Sequence, residues 1–378
     1  MEKIAHLVCT YPPYKGGIGN VASSFKEQLD KRGWNVDIIT PQYDSLEKEI
    51  KNTGVLRYKP IIKYGNAACL PQILCKNQYN LIHLHYPFFG SMELLVALKR
   101  IRPKIRLGLT YHMDFIPDSF FKKIFSLHLP FFLPWLLRNI DFITISSFDY
   151  LKYSSIEKYH HLYKKKLYEI PFGPDLLFDS GKSISKKTNK NCILFVGALD
   201  QAHRFKGLDL LLKACQLIHS KMDFKLIIVG DGDKRQDYEQ FVNKLGLGAQ
   251  IEFKGRLSNF DLLKAYQDSD FLVLPSITRS EAFGIVLVNA FSQSRPVVAS
   301  NLPGLRSVVD QGVNGLLVEP EKVKDLTEKL LFMLKNGRLR KKMGEKAYVK
   351  YKRRYQWPSI ISKLEEIYKK VYENRLNQ

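Results

Sequence analysis

Cysteine is scarce. The five cysteines in 378 residues (Cys9, Cys69, Cys75, Cys192 and Cys215) are scattered, odd in number and without Cys-x-x-Cys spacing. This argues against a disulfide framework or a zinc knuckle and fits a reducing cytoplasm. Long apolar runs are also lacking. The longest, Leu129–Leu137, holds two prolines and is about half the ~20 residues that a bilayer crossing needs, so no spanning helix is expected. Met1-Glu2-Lys3 passes straight into the strand-like Ile4–Cys9 with no signal-peptide core, so no cleaved leader is expected. Acidic residues are few: 37 Asp and Glu against 59 Lys and Arg, for a net charge of +22. Such a balance attracts polyanions, namely nucleic acid, anionic lipid headgroups or diphosphate substrates. Nucleic acid is the weaker expectation, because no zinc-finger spacing, RNA-recognition aromatic motif or clamping glycine loop accompanies the charge.

What is present is an ordinary globular composition, 45% hydrophobic and 25% charged, long enough for two domains. Short runs rich in Ile, Val and Phe alternate with segments of helical period. The first series is Ile4–Cys9, Val36–Thr40, Leu81–His85, Ile105–Thr110, Phe142–Ser146 and Tyr168–Ile170. A second begins at Cys192–Val196 and continues through Leu226–Val229, Ile251–Phe253, Phe271–Leu274, Val297–Ala299 and Gly315–Val318. Ile18, Val21, Ala22, Phe25 and Leu29 trace one face of a helix. This alternation predicts parallel sheets covered on both faces, and the restart predicts two of them. The expected fold class is α/β: two tandem doubly wound, Rossmann-like domains facing a cleft. The expected boundaries are 1–175, a polar linker at 176–190, a second domain at 191–357, and a C-terminal helix at 358–378 packing back toward the first. Ligands of such sheets bind at the carboxyl ends of strands, so the strand-to-helix loops should hold the chemistry.

Three loops stand out. Gly16-Gly17-Ile18-Gly19 lies between the first strand and first helix, where glycine lets backbone approach a ligand and a helix N-terminus favours an anion. It is not the spaced dinucleotide fingerprint, and Asp37 begins the second strand rather than ending it, which disfavours a nicotinamide enzyme. Gly197-Ala198-Leu199-Asp200 leads through Arg204 to Lys206-Gly207, and a lysine there can meet phosphate as a point charge. Pro275-Ser276 leads into Ser280-Glu281-Ala282-Phe283-Gly284. A helix starting near Phe283-Gly284 would aim its free amides at a phosphate, or else Ser280 and Glu281 merely cap it.

Together these residues resemble the retaining glycosyltransferase family 4, with its two-domain glycosyltransferase-B fold. The resemblance runs along the whole chain in order. It takes in the double-glycine loop, Thr110–His112, Phe195-Val196-Gly197 with Phe205-Lys206-Gly207, and Val229-Gly230-Asp231-Gly232. It continues through Pro275-Ser276, Ser280–Gly284, Ser300–Gly304 and Asn314–Leu317. It implies metal-independent, cofactor-free transfer with retention, from a nucleotide-diphosphate sugar to a glycan or lipid-linked acceptor. Lys206 would neutralise the diphosphate, supported by the amides after Phe283 and Gly284, and Glu281 would bond hydroxyls of the sugar. Gly16 and Gly17 would close over the phosphate, Gly197 would line the donor site, and His112 would sit against the donor sugar. No carboxylate is an obvious nucleophile, so a front-face displacement is implied.

Two positions depart from the family pattern. Asn289 stands where a second glutamate usually meets the ribose, so Asn289→Glu is expected to keep or tighten donor binding. Ala198 stands where an arginine is frequent, and Arg204 is a candidate to restore that charge. A catalytically silent family member acting as a partner protein is therefore the rival reading, with a basic nucleic-acid binder behind it. His83 and His85 alternate on one strand face like metal ligands, but with no third ligand a place in the sheet core is expected instead. Asp231 reads as part of a tight turn. Finally, Phe115–Leu137 sets aromatic and aliphatic groups beside Lys122 and Lys123, a composition suited to docking on an anionic membrane. The expected location is thus cytoplasmic and peripheral to the inner face of the cell membrane.

Overall fold

The computed structural model describes residues 2–14, 16–43, 54–115, 126–175, 178 and 191–376, the last three by backbone only. The chain forms two compact units, Met1–Phe172 with Trp357–Gln378, and Gly173–Gln356.

The first unit is built on β1 (Lys3–Leu7), β2 (Asn35–Pro41), β3 (Val55–Tyr58), a small hairpin of β4 (Lys63–Tyr64) and β5 (Ala67–Ala68), β6 (Leu81–Tyr86), β7 (Arg106–Tyr111), β8 (Phe142–Ile145) and β9 (Leu167–Glu169). Its sheet runs β3-β2-β1-β6-β7-β8-β9, every pair parallel. Every residue of β6 is buried, as a strand covered on both faces must be. Helix α1 (Gly17–Asp30) buries Val21, Ala22, Phe25 and Leu29, the stripe its period predicts. Helix α2 (Leu129–Asn139) buries Phe132, Leu133, Leu136 and Leu137 and leaves Phe131 82% exposed. The C-terminal helix Trp357–Leu376 belongs to this unit. Trp357, Ile360, Ile361, Leu364, Ile367 and Tyr368 form its buried stripe, with Trp357 edge-on to Phe25 and Glu365 held by Arg32 and Trp34.

The second unit carries β10 (Cys192–Val196), β11 (Lys225–Val229), β12 (Ile251–Gly255), β13 (Phe271–Leu274), β14 (Val297–Ser300) and β15 (Gly315–Val318), ordered β12-β11-β10-β13-β14-β15 and again all parallel. Each strand read from the sequence is present, with ends moved by a residue or two. β3 and the small hairpin were not read. β3 is a half-buried edge strand of four residues, too short to show a period. In both sheets the strand order reverses beside the first strand, between β1 and β6 and between β10 and β13. The loops leaving β1, β10 and β13 therefore open at switch points, where ligands of such sheets bind. Among the described residues, no helix is long and apolar enough to cross a membrane.

Candidate active site

In the second unit, glycine decides how closely the loops pack. Gly230 has φ +140°, and a Cβ there would stand 1.8 Å from the carbonyl oxygen of Gly197. The loops leaving β10 and β11 thus touch backbone to backbone, and Gly197 N–H donates to Val229. Asp231 shapes this turn, its side chain accepting from the Gly232 amide. Beyond it, Asp200 caps a tight turn at Gln201–Lys206 by accepting from His203 N–H. Gly207 ends that turn at φ +74°, where a Cβ would lie 2.0 Å from the Pro275 carbonyl oxygen. Ile277 N–H donates back to Phe205 across 2.7 Å. The loops after β10 and β13 are thereby pinned together. This brings Lys206 Nζ to 2.5 Å from Glu281 Oε2, both side chains mostly buried.

Helix α4 follows at Ile285–Ser292, α3 being Leu208–His219. The N-cap of α4 is Gly284 at φ 76° and no side chain caps it. Ser280 and Glu281 do not cap this helix; their amides turn back to Thr278. The first α4 amides therefore have no side-chain cap, and Glu281, just before them in the chain, is joined to Lys206. Phe283 is 4% exposed and sits edge-on to Tyr355. Arg204 stands apart from this cluster: it pairs with Asp209 at 3.0 Å and is half exposed. Asn289 is 1% exposed; its Oδ1 accepts from the Asp175 amide and its Nδ2 donates to Asp175 Oδ2 at 2.7 Å.

In the first unit, Gly16 is the extended N-cap of α1, with no side-chain cap. A Cβ on Gly19 would lie 2.6 Å from the Thr10 carbonyl oxygen, whereas one on Gly17 would meet nothing. Gly19 is thus required by packing, and Gly17 faces open space. His112 follows β7, 5% exposed, its ring near-parallel to those of His85 and Phe172, with centroids 5.1 Å and 5.0 Å away. Asp114 fixes the turn beyond it, accepting from Tyr111 O–H and the Ser155 amide.

The sequence reading did not foresee what lies behind His112. His85 Nδ1 meets His112 Nε2 at 2.8 Å, and His85 Nε2 meets His6 Nδ1 at 3.0 Å. His6 Nε2 meets the Tyr368 hydroxyl at 3.0 Å, and the same hydroxyl meets His83 Nδ1 at 2.6 Å. His83 Nε2 reaches Thr110 Oγ1, which reaches Thr144 Oγ1. Burial holds all four imidazoles below their ordinary pKa, His6 and His112 at about 3, so they are neutral. Both nitrogens of His83 and of His85 are thus used within the sheet core. Among the described residues, no group of three or more His, Cys, Asp or Glu is placed to hold a metal. The one available signal was His6, a polar residue inside an otherwise apolar buried strand.

Comparisons with known proteins identify the family. Residues 15–151 match the model described as Glycosyltransferase Family 4, and residues 179–350 match Glycosyl transferases group 1. An uncharacterized glycosyltransferase of Methanocaldococcus jannaschii is 30% identical over 96% of this chain and 96% of its own length. The chain belongs to glycosyltransferase family 4. As a member of that family it is an enzyme, a glycosyltransferase with the glycosyltransferase-B fold. The O-antigen chain mannosyltransferase C of Escherichia coli is 26% identical over 99% of this chain and 100% of its own. Among solved structures, sucrose-phosphate synthase from Thermosynechococcus elongatus superposes with a TM-score of 0.81 at 21% identity, covering 99% and 100% of the two chains. Anabaena HepE in complex with UDP-glucose gives 0.74 at 18% identity, covering 98% and 100%. These two likenesses show the shared fold.

Proposed function

We propose that this glycosyltransferase moves a sugar, with retention and without a metal, from a nucleotide-diphosphate sugar to a glycan or lipid-linked acceptor. The observation that carries the reading is the Lys206–Glu281 pair at the switch point of the second sheet, beside the uncapped N-terminus of α4. As the bond from sugar to diphosphate breaks, negative charge builds on the leaving phosphate. Lys206 and the first α4 amides supply oriented positive charge there, in a setting with little water to reorganise. Glu281 keeps Lys206 in position and offers acceptor oxygens to hydroxyls of the sugar. With no carboxylate in the role of nucleophile, the acceptor hydroxyl attacks from the leaving-group face and passes its proton to the departing phosphate. In the first unit, Gly17 leaves the start of α1 open to phosphate, and His112 meets the sugar.

The named relatives support the substrate classes: one is an O-antigen chain mannosyltransferase and a structural neighbour is in complex with UDP-glucose. Docking on anionic lipid is part of the proposal. Leu127 and Phe131 are 70% and 82% exposed beside the buried face of α2; Lys122 and Lys123 lie outside the described residues. Vesicle co-sedimentation tests it: binding to anionic but not neutral lipid, lost in high salt, is expected, and equal partitioning to both refutes it. The catalytic reading is tested by incubating the enzyme with UDP-, GDP- and ADP-sugars. Slow hydrolysis of one of them to the retained sugar, unchanged by a chelator, is expected; an inverted product or a chelator-sensitive rate refutes the mechanism.

A further inference from the structure

The buried chain behind His112 joins residues from β1, β6, β7, β8 and the C-terminal helix, and it has a definite hydrogen count. His112, His85, His6, Tyr368, His83, Thr110 and Thr144 each bring one transferable hydrogen, the imidazoles being neutral. Each link between neighbours takes one, which leaves one hydrogen more than there are links. In two arrangements Tyr368 or Thr110 accepts from both neighbours, and its own hydrogen then finds no acceptor among the described residues. The other two run one way along the whole chain. In the first, the surplus hydrogen sits on Thr144, and every imidazole carries its hydrogen on Nε2. His112 then donates to His85, His85 to His6, His6 to Tyr368, Tyr368 to His83, His83 to Thr110, and Thr110 to Thr144. In the second, all directions reverse, every imidazole is protonated on Nδ1, and the surplus sits on His112 Nδ1.

Two observations select the first. Thr144 Oγ1 has an acceptor for the surplus hydrogen, the Leu109 carbonyl oxygen at 3.5 Å. No described residue offers an acceptor to His112 Nδ1. The Nε2–H form is also the tautomer that a free neutral histidine prefers, so four intrinsic preferences point the same way.

We propose that this chain is a positioning relay which fixes His112 in its Nε2–H tautomer, presenting Nδ1 as a hydrogen-bond acceptor for a substrate hydroxyl. Tyr368 is its central positioning residue: it is the single junction between the His6–His85–His112 arm and the His83–Thr110–Thr144 arm. A helix at the far end of the sequence thereby sets the polarity of a site residue at the end of β7. The part about the substrate hydroxyl rests on the function proposed above; the tautomer does not.

The test is 15N NMR of histidine-labelled enzyme, whose ring-nitrogen shifts report the tautomer directly, together with donor turnover. In the wild type, His112 is expected in the Nε2–H form. Thr144→Val removes the terminal acceptor without changing side-chain size. The Thr110 hydroxyl then turns to His83, and His112 shifts toward Nδ1–H. Tyr368→Phe cuts the junction and is expected to end the exclusive Nε2–H population at His112. Both variants should lose about tenfold in kcat/KM, the worth of one substrate hydrogen bond. A wild-type Nδ1–H form, or an unchanged His112 signal in a folded Thr144→Val or Tyr368→Phe enzyme, overturns the relay. Tautomers that shift as expected with turnover unchanged keep the relay and overturn the contact of His112 with substrate.

Discussion

Gly197→Ala tests the site through the position of one side chain. The backbone of Gly197 lies outside the left-handed region, so alanine carries no conformational penalty there. Its methyl carbon would stand 2.7 Å from Lys206 Cδ, where carbon atoms prefer about 3.5–4.0 Å, so the lysine stem must retreat by about 1 Å. A flexible side chain absorbs that at about 0.5–1.5 kcal/mol, the cost of an off-rotamer torsion. The melting temperature should then fall by only a few degrees. Turnover should suffer far more. A misplacement of about 1 Å costs on the order of a hundredfold in rate, about 2.7 kcal/mol. The assay is kcat/KM for donor hydrolysis or transfer in Gly197→Ala, Lys206→Met and the double variant, alongside thermal unfolding. Because alanine acts through Lys206, the double variant should be no worse than Lys206→Met alone. Wild-type kcat/KM in the folded Gly197→Ala enzyme refutes the reasoning. So do losses that simply add, because the methyl group would then be acting on something other than Lys206.

Glu281→Ala is expected to cut kcat at least about a hundredfold with the fold intact, since the lysine loses its 2.5 Å partner and a preorganised charge commonly contributes roughly 3 kcal/mol; near-normal transfer removes Glu281 from the site. Asn289→Glu, which the family pattern makes look benign, sets a carboxylate where Nδ2 now lies 2.7 Å from Asp175 Oδ2. About 2 kcal/mol or more of stability should be lost at neutral pH from that repulsion, and Asp175→Ala should restore it in the double variant; unfolding titrations at fixed pH decide. Acid should unfold the first unit early. His6 and His112 fall from 6.5 to about 3, mainly by burial, and His83 and His85 are pushed well below 6.5 as well. Their stabilisation is full above the unfolded value and is lost as pH falls from 6.5 toward the folded values. By pH 5 the His6 and His112 imidazoles each cost about 2 kcal/mol, and His83 and His85 act in the same direction, against a domain stability of about 5–15 kcal/mol. Circular dichroism and proton uptake should show cooperative loss near pH 5; a first unit still folded at pH 3.5 contradicts neutral burial of the chain.

The sequence by itself determined the class of fold and pointed to the loops proposed to carry the chemistry. Apolar runs of strand length alternating with helical stripes permit little but covered parallel sheets, and the glycine-bearing loops fall at strand ends because tight backbone packing needs residues without a Cβ. The loops around Gly207 and Gly284 were legible by their place after strands, and Lys206 and Glu281 as the charged residues near those glycines. Their pairing was not, because 75 residues separate them and only the pinning of Phe205 and Gly207 against Ile277 and Pro275 brings them together. Arg204 was visible as a charge, but its direction was not; a neighbour on α3, Asp209, holds it. Asn289 was visible as a departure from the family pattern, while its engagement by Asp175 depends on contacts from outside its own helix. The histidines show the limit most clearly. Strand alternation put His83 and His85 on one face, but whether they hold a metal, a substrate or each other depends on what covers that face. The tertiary structure covers it with His6, Tyr368 and His112. Side chains nearly three hundred positions apart, such as His83 and Tyr368, share hydrogens there because burial leaves each polar atom no other partner.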